Sequence, residues 1–202
     1  MELTYLGRSC VRLRGRDVQV VIDPESDAQA KGADLIVRTT GATDVVRLRP
    51  SDRGAGAAQI VSGPGEYEIR GVPVRGLSAG ASTVMRVAVD EVRVVALGCF
   101  AQQLTEEQID ALGHVDVLVV PVGGGDALNA SAATKLVRAL EPGIVVPVRY
   151  ANGVADGDYE PVDRFASEMG LPEDWAEQAK LNLSGSSAAG EETRVVILEQ
   201  RS

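Results

Sequence analysis

Apolar residues in the first half of the chain follow the spacing of short strands. Four runs show this pattern, at residues 17–23, 35–37, 84–89 and 92–97. In the first run, Val18, Val20 and Ile22 alternate with other residues, as one face of a strand requires. The last two runs flank the pair Asp90-Glu91, which predicts a hairpin with a two-residue turn. The first half is therefore predicted to consist of strands.

The second half alternates between helix and strand patterns. Thr105 followed by Gln108 has the spacing of a capping box, which predicts a helix from there to about Leu112. Helical spacing recurs in two further sets of apolar residues: Ala133, Leu136, Val137 and Leu140, then Val162, Phe165, Ala166 and Met169. Apolar strands are predicted at 115–120, 144–148 and 195–198. Strands followed by alternating helices and strands indicate sheets covered by helices.

The length and composition fit one folded domain. The chain has 202 residues, of which 45% are hydrophobic, so it can bury a substantial core. We therefore expect a single domain over residues 1–202.

Charge and cysteine content narrow the function and the compartment. A net charge of −9 without a long basic run argues against a nucleic-acid surface. No apolar run approaches the roughly 20 residues of a membrane helix, and the first residues lack the pattern of a signal peptide. Cys10 and Cys99 form no CxxC pair, which is typical of a reduced compartment. We expect a cytoplasmic protein that binds neither nucleic acid nor membrane.

Several motifs resemble those of one enzyme family. They are Tyr5-Leu6-Gly7-Arg8-Ser9-Cys10, Val21-Ile22-Asp23-Pro24, Gly63-Pro64-Gly65-Glu66-Tyr67-Glu68, residues 115–124, Leu140-Glu141-Pro142 and Pro147-Val148-Arg149-Tyr150. Together they resemble the lactonase-like branch of metallo-β-lactamase-fold hydrolases, which includes L-ascorbate-6-phosphate lactonase. The resemblance implies an α/β fold, a four-layer αββα sandwich of the metallo-β-lactamase type, with its site at one edge.

Members of this family hold Zn²⁺-class ions on histidine nitrogens and aspartate oxygens. Such a metal lowers the pKa of bound water, and the resulting hydroxide attacks an ester, lactone or phosphodiester. The family signature is His-x-His-x-Asp-His after a strand, with further His and Asp ligands downstream.

The resemblance places few metal-binding side chains at these positions. The matched residues are Thr40, Ala42, Asp44 and Val45 for the signature, Cys99 for a later Asp, Arg149 for the last His, and Arg8 for a His near the N-terminus. Only Asp44 keeps the family's residue. The whole chain contains a single histidine, His114, which lies before the strand at 115–120 and is expected to be a surface residue. We therefore expect no metal cofactor.

Two interpretations of this arginine-containing pocket follow. In the first, Arg8 or Arg149 pairs with Asp44 and replaces the lost cation, because arginine forms bidentate pairs with carboxylates. In the second, the two arginines hold an anionic ligand such as a phosphate or a carboxylate. Arg38, at the same strand end, contributes to either arrangement.

Other candidate groups have simpler interpretations. Cys99 could be a nucleophile only with a thiolate-stabilising neighbour, and a small buried hydrophobic residue is the expectation. Gly123-Gly124-Gly125 lacks phosphate-loop spacing and is interpreted as a turn. Glu66 and Glu68 are interpreted as one face of an edge strand rather than an acid–base pair.

The sequence thus favours a non-catalytic binding, regulatory or scaffold protein. Its candidate ligand set is Arg8, Arg38, Thr40, Asp44, Cys99 and Arg149. Its candidate partners are a small anionic ligand and further copies of the same chain. The alternative is a hydrolase of an ester, lactone or phosphodiester with a rebuilt or metal-independent site.

Overall fold

The computed structural model describes residues 1–40, 58–152, 158–185 and 192–201. Ala42, Asp44 and Val45 lie outside the described residues. Within them, thirteen strands form two mixed sheets, and four helices flank the sheets.

The first sheet has six strands. They are β1 (Glu2–Gly7), β2 (Cys10–Arg14), β3 (Gln19–Ile22), β4 (Leu35–Arg38), β5 (Gln59–Ser62) and β12 (Leu181–Asn182). Their order across the sheet is β12-β1-β2-β3-β4-β5, and β3, β4 and β5 run parallel.

The second sheet has seven strands. They are β6 (Gly65–Ile69), β7 (Val72–Ala79), β8 (Ser82–Val89), β9 (Val92–Ala96), β10 (Val117–Pro121), β11 (Ile144–Val148) and β13 (Arg194–Val195). The order is β13-β11-β10-β9-β8-β7-β6, with an antiparallel meander from β6 to β9 and parallel pairing from β9 to β13.

The helices are α1 (Asp27–Ala30), α2 (Glu106–Leu112), α3 (Ala130–Leu140) and α4 (Val162–Glu168). Thr105 begins α2 with the predicted capping box, in which its side chain and that of Gln108 each accept a backbone N–H. The predicted apolar face of α3 is buried along its whole length. Helix α2 contacts β7, and α3 contacts both β10 and α4.

Alternation along the strands of the first sheet produces two apolar layers. Leu13, Val20 and Val37 belong to the main core, whereas Val21 and Ile36 belong to a smaller cluster that includes Ala30 of α1. Since successive side chains of a strand point to opposite faces, the first sheet is covered on both sides. The architecture is the predicted metallo-β-lactamase-type α/β sandwich, in which helices lie outside two facing sheets.

Two local predictions met different outcomes. The hairpin between β8 and β9 is confirmed, and Asp90 and Glu91 both adopt positive φ, of 49° and 68°, as a type I′ turn requires. The last strand was predicted over 195–198, but the regular strand is only Arg194–Val195. Val196 still donates to Val145, and Leu198 forms an isolated bridge with Gln178, so the chain continues as irregular pairing.

Candidate functional site

The candidate site is a cleft at one edge of the sandwich, where several strands end. It has a volume of about 470 Å³ and is lined by Ser9, Asp23, Pro24, Glu25, Arg38, Thr39, Thr40, Cys99 and Arg149. Parallel strands of a sheet bring their carboxyl ends to the same edge, which explains how residues distant in sequence meet here. The two sheets are joined beside the cleft, since Thr83 donates its N–H to the carbonyl of Thr39 at 2.7 Å.

Arg149 is the most firmly held side chain of the site. It follows β11, is only 10% exposed, and donates through Nε and Nη2 to the two carboxylate oxygens of Asp126, at 3.0 and 2.5 Å. Its Nη1 donates to Ser9 Oγ at 3.3 Å, and its guanidinium lies 5.3 Å from the ring centroid of Tyr159. A bidentate charge-assisted pair of this kind fixes the orientation of the guanidinium.

The backbone around Arg149 is also constrained. Arg8 and Arg149 both have positive φ, of 49° and 54°, a region that non-glycine residues seldom adopt. The N–H of Arg149 donates to the carbonyl of Arg8 at 2.8 Å, which holds the two turns against each other. Residues in strained conformations concentrate at functional sites, so these two turns support the interpretation of the cleft as a functional site.

Asp126 is the shared acceptor of the site. Besides Arg149, it accepts hydrogen bonds from Tyr159 Oη at 2.6 Å and from Cys99 Sγ at 3.0 Å. The hydrogen bonds from the Arg149 guanidinium hold the pKa of Asp126 well below its usual range. Asp126 therefore remains a carboxylate at any physiological pH.

Cys99 is a protonated thiol rather than a nucleophile. Desolvation, followed by the hydrogen bond to Asp126, raises the pKa of Cys99 to about 11. It is only partly buried and donates a hydrogen bond, so the expectation of a buried hydrophobic residue is wrong. Because a thiol reacts through its thiolate, this environment suppresses nucleophilic chemistry at Cys99. Cys10 is fully buried.

Asp23 also lines the cleft. It accepts the backbone N–H and the hydroxyl of Thr39, at 2.8 and 2.6 Å, and burial raises the pKa of its carboxyl to about 6. Gly98 permits this arrangement, since a Cβ at its φ of +61° would lie 1.7 Å from Thr39 Oγ1. Asp23 thus changes charge close to neutral pH.

The remaining arginines differ in their pairing. Arg8 contacts Glu25, with 3.3 Å between Nε and Oε2, at the exposed rim. Arg38 lines the cleft and has no hydrogen bond or ion pair to any described residue. Its charge acts on Asp23, where it lowers the pKa of the carboxyl against the larger effect of burial.

The structure brings together four of the six predicted ligand residues. Arg38, Thr40, Cys99 and Arg149 line one cleft, whereas Arg8 lies beside it on Glu25. Asp44 lies outside the described residues, so its predicted pairing stays a prediction. The carboxylates that pair with Arg8 and Arg149 in the described chain are Glu25 and Asp126.

Sequence reasoning did not assign several residues that shape the site. They are Ser9, Asp23, Thr39, Asp126 and Tyr159. Asp23 ends the Val-Ile-Asp-Pro motif, and Asp126 directly follows the triple glycine, so both had a signal in the sequence. The triple glycine itself is a turn as predicted, with Gly124 donating to the carbonyl of Leu128. Tyr159 had no such signal.

The described residues do not fit the metal centre of the family. At the matched positions, Thr40 offers a hydroxyl, Cys99 a thiol that donates a hydrogen bond to Asp126, and Arg149 a cation that is already bonded to Asp126. A guanidinium cannot ligate a metal ion, and its charge repels one. Within residues 1–40, 58–152, 158–185 and 192–201, no three His, Cys, Asp or Glu side chains are grouped so as to hold a metal. His114 instead lies half-exposed beside Asp116, at 3.1 Å.

Comparison with solved structures defines the class of fold. A candidate Zn-dependent hydrolase of the metallo-beta-lactamase superfamily from Thermotoga maritima matches with a TM-score of 0.78 and 24% identity, over 98% of each chain. A metallo hydrolase from Ignicoccus hospitalis matches with a TM-score of 0.68 and 18% identity, over 91% of this chain and 99% of its own. The metallo-beta-lactamase fold protein YhfI from Bacillus subtilis gives 0.62 and 10%, over 96% and 95%. At these identities the likeness establishes the metallo-β-lactamase fold.

Family membership follows from the sequence match. The family described as the beta-lactamase superfamily domain matches residues 2–149, and the chain belongs to that family. No curated protein matches the chain. No helix among the described residues is long and apolar enough to cross a membrane.

Proposed function

We propose that this chain is a non-catalytic member of its family that binds a small anionic ligand in the arginine cleft without a metal. The observation that carries the proposal is Arg149, whose guanidinium stands at a matched ligand position and is fixed by Asp126 and Ser9. A regulatory or scaffold role would follow from ligand binding without turnover.

Arg149 can still bind a ligand after these contacts. A guanidinium has five N–H groups. Asp126 and Ser9 engage three of them, through Nε, Nη1 and Nη2. One N–H on Nη1 and one on Nη2 remain for an acceptor in the cleft. Arg38 supplies a second cation, which forms no ion pair with a described carboxylate and is balanced only by the charge of Asp23.

The net charge of the cleft favours the binding of an anion more strongly at lower pH. Arg149 and Asp126 neutralise each other, as do Arg8 and Glu25. The remaining charges on the described walls belong to Arg38 and Asp23. Since the pKa of Asp23 is raised to about 6, protonation below that pH leaves the cleft with a net positive charge.

Sulfate is a suitable probe, because it stays dianionic across this pH range. We expect wild-type protein to bind sulfate, with affinity increasing as the pH falls through about 6. Arg38→Gln should weaken binding by about tenfold, a typical effect of losing one charge-assisted contact. Arg16→Gln is the matched control, since Arg16 is 81% exposed and lies beside Asp90, a residue that does not line the cleft. Equal affinities for the wild type and Arg38→Gln would refute the proposed site.

The second candidate function is hydrolysis of an ester, lactone or phosphodiester at a metal-independent site. Family membership favours it, and Asp23, with a pKa near neutrality, is the described residue suited to act as general base. A lactone and phosphodiester panel, with and without added Zn²⁺ or Mn²⁺, separates the two candidates. We expect no turnover above buffer. Turnover that disappears in Asp44→Ala or Asp23→Asn would establish the hydrolase instead.

A further inference from the structure

Three arginines form a row on the outer face of the second sheet. Arg75 lies opposite Arg86 in the register of β7 and β8, and Arg93 lies on β9 one diagonal step from Arg86. All three belong to the strand positions that alternate with the buried valines of the main core. Opposed like charges on neighbouring strands repel each other unless an anion lies between or beside them.

The two outer arginines have their own acceptors. Arg75 donates to the carbonyl of Ala111, near the end of α2, at 2.9 Å, and lies 3.6 Å from a carboxylate oxygen of Glu66. Arg93 forms a bidentate pair with the buried Asp116, at 2.7 and 3.2 Å. Each of these two guanidinium groups therefore has a fixed position.

The central arginine has no such acceptor. Arg86 forms no hydrogen bond or ion pair with any described residue, and its Nε is shielded from solvent without a hydrogen-bond partner there. A shielded polar donor without an acceptor is unfavourable, and here it also lies between two other cations. An anion bound through the Nη groups of Arg86 would not reach Nε, but it would reduce the repulsion from the two neighbouring cations.

Arg86 lines a cavity that can hold such an anion. The cavity has a volume of about 730 Å³ and shares no lining residue with the arginine cleft. Pro73 and Ala88 contribute small apolar surfaces beside the arginines, and Glu68 and Glu91 add carboxylates. These acidic groups disfavour a dianion but can accept a cationic group of the same ligand.

We propose that this cavity binds the carboxylate of a small zwitterionic ligand through Arg86, with the cationic group of the ligand beside Glu68. The planar guanidinium matches a carboxylate with two parallel hydrogen bonds. The apolar surfaces of Pro73 and Ala88 suit a short aliphatic chain between the two charged ends. The site is independent of the function proposed for the arginine cleft.

The test uses ε-aminocaproate as the zwitterionic probe and caproate as the probe without an ammonium group. Calorimetry should show binding of ε-aminocaproate to the wild type at millimolar concentration, weakened about tenfold or more in Arg86→Gln. Arg86→Lys keeps the charge without the planar fork and should also weaken binding. Arg16→Gln, the exposed control, should bind like the wild type.

Two further readouts locate the ligand. Amide chemical shifts should move around Arg86 on β7 and β8 and not around Arg149. Glu68→Gln should weaken ε-aminocaproate and leave caproate unchanged. The proposal is overturned if neither probe binds, if Arg86→Gln and Arg86→Lys bind like the wild type, or if Glu68→Gln has no effect on ε-aminocaproate.

Discussion

The pair between Arg149 and Asp126 should contribute measurably to the free energy of unfolding. The perturbation is a double-mutant cycle with Arg149→Met, Asp126→Ala and the double variant. Exposed ion pairs contribute about 0.2–1 kcal/mol, whereas breaking a buried pair costs about 3–5 kcal/mol. Arg149 is 10% exposed and Asp126 is 53% exposed, so solvent screens one partner only. We expect a coupling energy of about 1–2 kcal/mol.

Urea unfolding followed by circular dichroism measures this coupling. For a chain of this size, each kcal/mol corresponds to about 2–4 °C in Tm, so a thermal scan provides a second estimate. Arg164 and Glu160 form the matched control, since they lie 2.8 Å apart as an exposed i,i+4 pair. Because Glu160 lies before α4, the range for exposed ion pairs in general applies, about 0.2–1 kcal/mol. A coupling energy for Arg149 and Asp126 no larger than that of the control pair would refute the reasoning.

Three further predictions concern the neighbouring groups. Burial raises the pKa of Asp23 to about 6, so between about pH 4 and 6 the folded state retains a proton that the unfolded chain has released. The free energy of unfolding should therefore fall as the pH rises through this range. Urea unfolding measured across the range should show this decline in the wild type and not in Asp23→Asn. At pH 7.5, iodoacetamide should modify Cys99 at a rate at least about tenfold below that of free cysteine, and it should modify Cys10 only when the protein unfolds. A rate for Cys99 above that of free cysteine would indicate a reactive thiolate and contradict this prediction. Gly98→Ala should lower stability by about 2 kcal/mol or more, because its Cβ would collide with Thr39 at a positive φ; an unchanged Tm would contradict that geometry.

Much of the fold could be predicted because its elements have strong local signals. The capping box at Thr105 and the apolar face of α3 depend on short sequence spacing, and both are confirmed. The turn at Asp90 and Glu91 was predicted from the strands around it, although neither residue is glycine. The end of the last strand was wrong, because pairing beyond Val195 depends on neighbours that an apolar run does not specify.

The site was only partly predictable for a physical reason. Resemblance to the family pointed to Arg149 as a candidate site residue. It could not identify the partner of Arg149, since the loop that carries Asp126 meets Arg149 only in the folded chain. Asp126 meets Arg149 because the loop after β10 returns to the end of β11, and Tyr159 joins them from a later loop.

The same limit applies to Cys99. The general tendency of free cysteine to be buried favoured a hydrophobic role, yet the fold places its thiol 3.0 Å from a carboxylate oxygen. The hydrogen bond makes it a polar member of the cleft. The tertiary fold therefore determined the chemistry of this side chain.

The measurement that tests the central claim most directly is the metal content of the purified protein after growth with added zinc. Elemental analysis should find zinc, manganese and iron far below one equivalent per chain, because Arg149 places a fixed positive charge in the cleft. One or two equivalents of metal per chain that are lost in Asp44→Ala would contradict the proposal of a metal-free site. That result would favour a metal-dependent hydrolase instead.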